Sequence, residues 1–379
     1  MQDAYIVAYG RAATGRGKAN GAYAHTRADD VAAQVLKGVI ERVDGNFDPA
    51  LIEDVIVGNA FPEGEQGMNF ARTIALRAGL PHTVPGQTVN RYCSSGLQTI
   101  AMAANAIMAG QSDVVAAGGV EFMSAVPMGG NEPTNNPTLQ AEDVGASYPM
   151  GLTAENVADK YNVSREDQDA FAVQSHHRAH SAQTEGRLKD EIIPVEINRV
   201  SYTANGPEVT KEIFDTDEGI RPNSDMETLA KLPTIFKANG SVTAASSSQV
   251  SDGASFVILM SGAKVKELGI KPIARFVGFK AVGVDPKLMG IGPAYAIPEV
   301  LKLADLELED IDLIELNEAF ASQALASIRE LGIDTDITNV NGGAIALGHP
   351  LGASGAILTA RLLNEMSRRP DSKYGIVSM

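Results

Sequence analysis

The sequence has one cysteine, no long apolar stretch and no excess of positive charge, and each deficit excludes a class of protein. A single cysteine among 379 residues cannot form an intramolecular disulfide, which fits a reducing compartment such as the cytoplasm. No apolar run reaches the roughly 20 residues that span a membrane, and the start MQDAYIVAYGR is typical of a first strand. The net charge of −16 argues against nucleic acid, so a polyanionic ligand would need a local basic patch.

The segment around the cysteine is the first candidate for a reactive site. Thr88 and Val89 are typical of the end of a buried strand, and the Ala-, Ile- and Met-rich run from Ser94 predicts a helix. Cys93 therefore lies at a strand-to-helix turn, where the helix dipole and free N–H groups favour a thiolate. The alternative is a buried structural cysteine, because free cysteines are mostly core residues.

Two halves of the chain repeat one order of strands and helices. EDVIVGNA (53–60) resembles EDIDLIELNEA (309–319), and QTVN before the cysteine resembles TNVN before a glycine-rich turn. The repeat predicts a duplicated α/β domain with mostly parallel sheets covered by helices. In the second half it predicts strands at 272–282 and 337–341, and in the first half a fifth strand at 254–262.

The repeat is interrupted between its two halves. A stretch rich in Pro, Gly, Asn and Met predicts an irregular loop, and an S-x-x-D signal at Ser164 and Asp167 predicts a helix start behind it. We interpret this region as an inserted loop subdomain. The predicted N-terminal half consists of residues 1–120 and 250–264. The predicted insertion spans 121–249, and the predicted C-terminal half spans 265–379.

A second candidate site is the glycine-rich turn NGGAIALGHPLGASG, which contains His349. By the repeat, His349 stands near the place that Cys93 has in the first half. If the halves pack about a pseudo-twofold axis, the two turns meet, and a neutral imidazole beside a thiol is the usual way to activate a cysteine. The alternative is an ordinary structural histidine.

Two further turns carry polar residues in favourable places. Asn317 directly follows the apolar strand IDLIEL, where α/β folds bind ligands, although it could instead cap the next helix. The segment SSSQVSDGAS is rich in hydroxyl groups that could bind an amide-bearing ligand, or it is an ordinary turn. His176, His177 and His180 have helical spacing, but we interpret them as a solvated helix face and predict no metal site.

Taken together, these turns resemble the thiolase family, specifically the acetyl-CoA acyltransferases (3-ketoacyl-CoA thiolases). The resemblance runs in order over essentially the whole chain and implies a five-layer αβαβα fold. The matching segments are VNRYCSSGLQ, MGLTAENVA, SREDQDAFA, GIRP, SSSQVSDGA, MGIGPA, LNEAFA and NGGAIALGHPLGASG.

The resemblance also implies roles for individual residues. Cys93 would be the acylated nucleophile, and His349 would be the base that activates it. His349 would also form an oxyanion hole together with a water held by Asn317. The inserted subdomain would bind coenzyme A (CoA) as a substrate, with no tightly bound cofactor. The implied CoA- and substrate-binding residues are Arg221 and Phe236 at the adenine and phosphate end, Ser248 at the pantetheine, Met150 at the acyl chain, and Phe320.

The implied reaction is cleavage of a 3-ketoacyl-CoA by CoA in fatty-acid β-oxidation. Alternatives are a biosynthetic acetoacetyl-CoA thiolase and an inactive acyl-CoA-binding relative. A decarboxylating ketosynthase would need a histidine where NEAF stands. The family implies a homodimer or homotetramer, and a β-oxidation multifunctional enzyme as a further partner.

The resemblance departs from the family at one place. Thiolases carry a second catalytic cysteine in a C-x-G segment after the strand that matches YGIVSM (374–379). We therefore expect the chain to be the front part of a longer polypeptide that supplies this cysteine.

Overall fold

The computed structural model describes residues 2–45, 47–204 and 206–379. The strands are β1 Ala4–Arg11, β2 Gly15–Arg16, β3 Asp54–Gly58, β4 Gly86–Val89, β5 Val114–Phe122, β6 Val195–Thr203, β7 Gly206–Phe214, β8 Ser251–Ser261, β9 Ala274–Arg275, β10 Leu313–Leu316 and β11 Gly375–Ser378. The helices are α1 Ala28–Glu41, α2 Phe70–Arg77, α3 Ser95–Met108, α4 Pro137–Glu142, α5 Met150–Lys160, α6 Arg165–Thr184, α7 Met226–Ala230, α8 Gly262–Leu268, α9 Gly292–Ala304, α10 Ala321–Leu331, α11 Ala344–Leu347 and α12 Ser354–Ser367. Within these ranges, no helix is both long enough and apolar enough to cross a membrane.

The first half forms a sheet with the strand order β4-β3-β5-β8-β1-β9. β3 pairs in parallel with β4 and β5, whereas β8 runs antiparallel to both β5 and β1. The predicted fifth strand is therefore β8, and all of its residues are buried at the centre of the sheet. The prediction of a mostly parallel sheet is wrong here, because β8 enters from the insertion and runs against both neighbours.

Helices and sheets alternate in five layers, as predicted. Apolar residues of α1 and α2 pack on one face of the first sheet, and those of α3 and α12 pack on the other. α12 in turn packs against β10 and β11, which pair in parallel as a small second sheet. α9 and α10 cover the far side of that sheet. Helix α3, which follows Cys93, and helix α12, which follows the glycine-rich turn, therefore share the central layer.

The second half contains less strand than the repeat predicts. In 272–282, only β9 is a strand, and it pairs with Tyr5 and Ile6 of β1 in the first sheet. In 337–341, the backbone forms a single bridge between Thr338 and Ile314. Beyond that bridge the side chain of Asn339 replaces the backbone ladder: its Oδ1 accepts from the Leu316 N–H at 2.8 Å and its Nδ2 donates to the Leu316 carbonyl at 2.7 Å.

The insertion contains α4 to α7 and the β6–β7 hairpin. Its longest helix, α6, begins as predicted. The Ser164 hydroxyl accepts from the Asp167 N–H at 3.0 Å, and the Asp167 carboxylate accepts from the Ser164 N–H at 3.3 Å. This reciprocal pair satisfies two N–H groups that an uncapped helix start would leave free.

A buried arginine joins the insertion to the two halves. Arg11, at the end of β1, donates two bonds to Asp217 at 2.7 and 2.8 Å and one to Glu191 at 2.7 Å. Asn364 of α12 donates to the other oxygen of Glu191 at 3.0 Å. All three charged side chains are almost fully buried, so each depends on the others for compensation of its charge.

Replacing this arginine should therefore destabilise the whole fold. Arg11→Met leaves two buried carboxylates without their cation, and we expect the free energy of unfolding to fall by about 3–5 kcal/mol in urea denaturation. Arg16→Met is the matched control, because its ion pair with Glu218 is partly exposed and should contribute less than about 1 kcal/mol. Similar small losses for both variants would contradict the interpretation of Arg11.

Candidate active site

The cysteine lies in a sharp turn between β4 and α3, as predicted. Tyr92, just before it, has a left-handed backbone conformation with φ +44°. The Ser95 hydroxyl donates to the Tyr92 carbonyl at 2.6 Å and accepts from the Arg91 N–H at 2.8 Å. The Asn90 side chain accepts from the Tyr92 N–H at 2.8 Å. These local bonds hold Cys93 one residue before the cap of α3.

The turns that contain Cys93 and His349 meet in one small apolar cluster, as the repeat predicts. Cys93 is half-buried and packs, with Phe61, against this cluster. Its buried members include Leu351, two residues after His349. The other members are Ala60 and Met123.

Glycines allow the two turns to approach at the backbone level. The carbonyl of Gly352, in the His349 turn, points at the start of α3 and at β5. A Cβ at Gly119 would overlap this carbonyl oxygen, and one at Gly96 would lie 2.8 Å from it. Larger residues at either position would separate the His349 turn from the helix that follows Cys93.

A buried carboxylate, Glu121, binds the turn after β3 and the turn that contains His349, and the sequence analysis missed it. Burial raises the pKa of Glu121, and all five of its hydrogen-bond partners in the described part of the chain are N–H donors, which oppose this shift by favouring the ionised form. A signal was available, since a glutamate directly after the apolar run VVAAGGV needs buried partners. The donors are the backbone N–H groups of Ala60 (2.7 Å), Gly352 (2.9 Å) and Phe61 (3.3 Å), and the side chains of Asn59 and Gln66 (both 3.2 Å).

The thiol does not have the lowered pKa that its place before a helix suggested. Burial, together with the negative charge of Glu121, raises the pKa of Cys93 to about 12. The cost of desolvating a thiolate therefore outweighs the helix dipole at this position. The resting group is a neutral thiol, and it needs a nearby base to become a nucleophile.

His349 has the properties of such a base. Its ring is buried, and burial lowers its pKa to about 4, so the imidazole is neutral at physiological pH. Nδ1 lies 2.6 Å from the Ser354 hydroxyl, and Nε2 lies 3.4 Å from the side-chain nitrogen of Asn317. The backbone N–H of His349 donates to the Ser251 hydroxyl at 3.1 Å, which fixes the base of the ring.

Asn317 and Glu318 of the NEAF turn have different tasks. Asn317 is held by its backbone: its N–H donates to the Ser378 carbonyl at 2.9 Å. Its side-chain oxygen is buried without a protein partner in the described ranges. Asn317 is not the cap of α10, because the residue at that position is Phe320. Glu318 is structural, since its carboxylate accepts from the Ser175 hydroxyl at 2.7 Å and from Asn339 at 2.9 Å.

Most of the predicted CoA- and substrate-binding residues gather beside the NEAF turn. The rings of Phe236 and Phe320 meet edge to face, with centroids 5.8 Å apart. The ring of Phe236 lies directly against Gly151, which follows Met150 at the start of α5. The backbone N–H of Ser248 donates to the Ala319 carbonyl at 2.9 Å, which ties the hydroxyl-rich segment to the same turn.

Arg221 is exposed on a separate loop, which two histidines of α6 hold in place. The Arg221 backbone N–H donates to His176 Nδ1 at 3.1 Å, and His177 Nε2 donates to the Ser224 carbonyl at 2.9 Å. Burial, with the charges of Arg221 and His177, lowers the pKa of His176 to about 4. The histidines at helical spacing are therefore not only a solvated face, because two of them anchor the Arg221 loop. No group of three or more His, Cys, Asp or Glu residues in the described ranges is placed to hold a metal ion.

Comparison with known families decides the identity of this arrangement. Residues 4–263 match the model of the thiolase N-terminal domain, and residues 270–379 match that of the thiolase C-terminal domain. The chain belongs to the thiolase family. The predicted fold and the acyltransferase class are thereby confirmed.

Named thiolases are similar to the chain over its whole length. The 3-ketoacyl-CoA thiolase of Bacillus subtilis is 51% identical over the full chain and 96% of the relative, and the peroxisomal 3-ketoacyl-CoA thiolase 5 of Arabidopsis thaliana is 46% identical over the full chain and 82% of the relative. Among solved structures, the acetyl-CoA acetyltransferase of Bacillus anthracis is 40% identical, with a TM-score of 0.89 over the full chain and 95% of that structure. Human mitochondrial 3-ketoacyl-CoA thiolase in complex with CoA is 38% identical, with a TM-score of 0.88 over the full chain and 94% of that structure.

The charge of Glu121 should be measurable at the thiolase cysteine. In a His349→Gln background, which removes the candidate base, Glu121→Gln should speed iodoacetamide labelling of Cys93 severalfold at pH 9. Loss of the nearby negative charge lowers the thiol pKa and increases the thiolate fraction. Labelling is followed by intact mass, below the melting temperature of each variant.

Glu65→Gln in the same background is the matched control, because it removes a partly exposed charge from a neighbouring segment. Its labelling rate should stay close to that of the His349→Gln parent, since solvent screens such a charge. Equal rates for the two glutamate variants would show that Glu121 does not set the thiol pKa.

Proposed function

We propose that this thiolase cleaves 3-ketoacyl-CoA with CoA, through an acyl-Cys93 intermediate. The Cys93 sulfur attacks the 3-keto carbon, the bond between C2 and C3 breaks, and acetyl-CoA leaves as an enolate that takes up a proton. The thiol of a second CoA then attacks the acyl thioester and releases a shortened acyl-CoA. Two thioester steps thus replace one difficult substitution.

The observation that carries this proposal is the packing of the turn that contains a protonated thiol, Cys93, against the turn that contains a neutral imidazole, His349. Cys93 has a raised pKa and His349 a lowered one, so neither is charged at rest. Transfer of the thiol proton to Nε2 would form a thiolate and an imidazolium together. The imidazolium and the Asn317 side chain, 3.4 Å apart, could then stabilise an oxyanion.

The CoA site in this proposal is formed by the insertion, 121–249, together with the NEAF turn. Arg221 supplies a local cation in a chain of net charge −16, where it could pair with a phosphate. Phe236 and Ser248 would contact the adenine end and the pantetheine, while Met150 and Phe320 would line the acyl group. The gathering of four of these residues beside Asn317 supports this assignment.

The proposal extends to the setting of the enzyme. The single cysteine fits the cytoplasm, and the family fits a homodimer or homotetramer, with a β-oxidation multifunctional enzyme as a further partner. CoA acts as a substrate rather than as a bound cofactor. We also propose that the chain is divided into an N-terminal half (1–120 with 250–264), an inserted subdomain (121–249) and a C-terminal half (265–379).

Acylation of Cys93 tests the reaction directly. Mixing the protein with acetoacetyl-CoA should add one acetyl group at Cys93, and His349→Gln should slow this step by about a hundredfold or more. A base is active when it is unprotonated, so the acidic limb of the rate should lie near pH 4 instead of near 6.5. Rapid-quench intact mass measures both quantities.

His180→Gln is the matched control, since His180 is exposed on α6, and its acylation rate should match that of the unaltered enzyme. Acyl transfer to a residue other than Cys93, or an unchanged rate for His349→Gln, would overturn the assignment.

The proposed CoA contact has its own test. Arg221→Ala should weaken the binding of CoA much more than that of a pantetheine fragment, because only CoA carries the nucleotide phosphates. Isothermal titration compares the two ligands. Lys231→Ala removes an exposed cation from the same subdomain and should affect neither ligand strongly. Equal losses of both ligands for Arg221→Ala would show that the residue supports the loop and does not bind phosphate.

A further inference from the structure

The proposed base His349 contacts a second side chain, that of Ser354, to which no role has yet been assigned. Ser354, the first residue of α12, is buried, and its hydroxyl oxygen lies 2.6 Å from His349 Nδ1. The same oxygen lies 2.9 Å from the carbonyl of Pro350, one helical turn earlier. A serine hydroxyl has one proton to donate, so it cannot donate to both neighbours.

Hydrogen-bond counting favours one tautomer of the imidazole. If Nδ1 carries the proton, Nδ1–H donates to Ser354, Ser354 donates to Pro350, and Nε2 accepts from Asn317, which makes three bonds. If Nε2 carries the proton, Ser354 must donate to Nδ1, its bond to Pro350 is lost, and the Asn317 amide must turn its oxygen to the ring. That arrangement makes only two bonds.

We propose that Ser354 is a positioning residue that fixes His349 as the Nδ1–H tautomer and so keeps Nε2 unprotonated, ready to take the Cys93 proton when the Asn317 amide gives up its bond to that nitrogen. This inference rests on the proposed function, because it takes His349 as the base. The role of Ser354 is indirect: it orients the ring and selects the nitrogen that carries the proton. Because the Ser354 hydroxyl donates its only proton to the Pro350 carbonyl, it must accept the hydrogen bond from the imidazole ring.

The matched control lies on the same helix. The Thr359 hydroxyl donates to the Gly355 carbonyl at 2.8 Å, also one helical turn earlier, and it too is buried. Thr359→Val therefore removes the same kind of backbone bond as Ser354→Ala without removing a hydrogen bond to the ring. A general effect of a lost buried hydroxyl on α12 would appear in both variants.

The experiment measures the rate of Cys93 acylation by acetoacetyl-CoA and the imidazole ¹⁵N chemical shifts of His349. The His349 signal is identified by its absence in His349→Gln. Ser354→Ala should slow acylation about tenfold, the value of about one hydrogen bond. It should also remove the Nδ1–H pattern that the unaltered protein shows. Thr359→Val should change neither the rate nor the spectrum.

A double variant separates positioning from a structural effect. If Ser354 acts through the ring, Ser354→Ala should cause no further slowing in a His349→Gln background. Additive slowing, an Nε2–H spectrum in the unaltered protein, or normal acylation by Ser354→Ala would each overturn the proposal. An unchanged rate for His349→Gln would instead show that His349 is not the base, which is the failure of the proposed function itself.

Discussion

The site depends on the buried carboxylate of Glu121. Glu121 stands at the end of β5, where it accepts from the turn after β3 and from the turn that contains His349. Those turns come from opposite halves of the chain, so one side chain sets the distance between them. The five donors offset part of the desolvation that raises the pKa of Glu121, and they do so only while both turns stay in place. Assembly of the site and burial of this charge are therefore the same event.

The same carboxylate influences the chemistry of the cysteine. A half-buried thiol beside a negative charge holds its proton, so Cys93 is protected at rest from alkylation and oxidation, both of which need the thiolate. In the proposed reaction, activation then depends on His349, whose own burial keeps it unprotonated. The low-dielectric surroundings thus suppress charge on both residues, and in the proposed reaction the transfer of one proton from Cys93 to His349 creates the ion pair when substrate is present.

The insertion supports the site by a different means, through buried charges far from the cysteine. Arg11 ties Glu191 and Asp217 of the insertion to β1, and Asn364 extends the contact to α12. His176 and His177 then carry the Arg221 loop on α6. The loop that supplies the proposed phosphate contact is therefore connected to α6 by hydrogen bonds, together with the packing of Ile220 against an apolar cluster that includes Ala179.

Much of the fold could be predicted from the sequence, because it is written in local patterns. The helix after Cys93, the buried strand β8 and the capped start of α6 follow from apolar periodicity and from a capping box, which act between near neighbours in the chain. The repeat predicted that the turns of Cys93 and His349 meet. These features need no knowledge of which residues approach from elsewhere.

What only the tertiary structure decided depends on contacts between distant segments. The antiparallel course of β8, the replacement of a strand ladder by the Asn339 side chain and the pairing of β9 with β1 all depend on the neighbours that each segment meets. The raised pKa of the Cys93 thiol also depends on contacts between distant segments. The helix dipole is a local property that the sequence determines, whereas burial and the charge of Glu121 arise from residues brought together by folding, and here they outweigh the dipole.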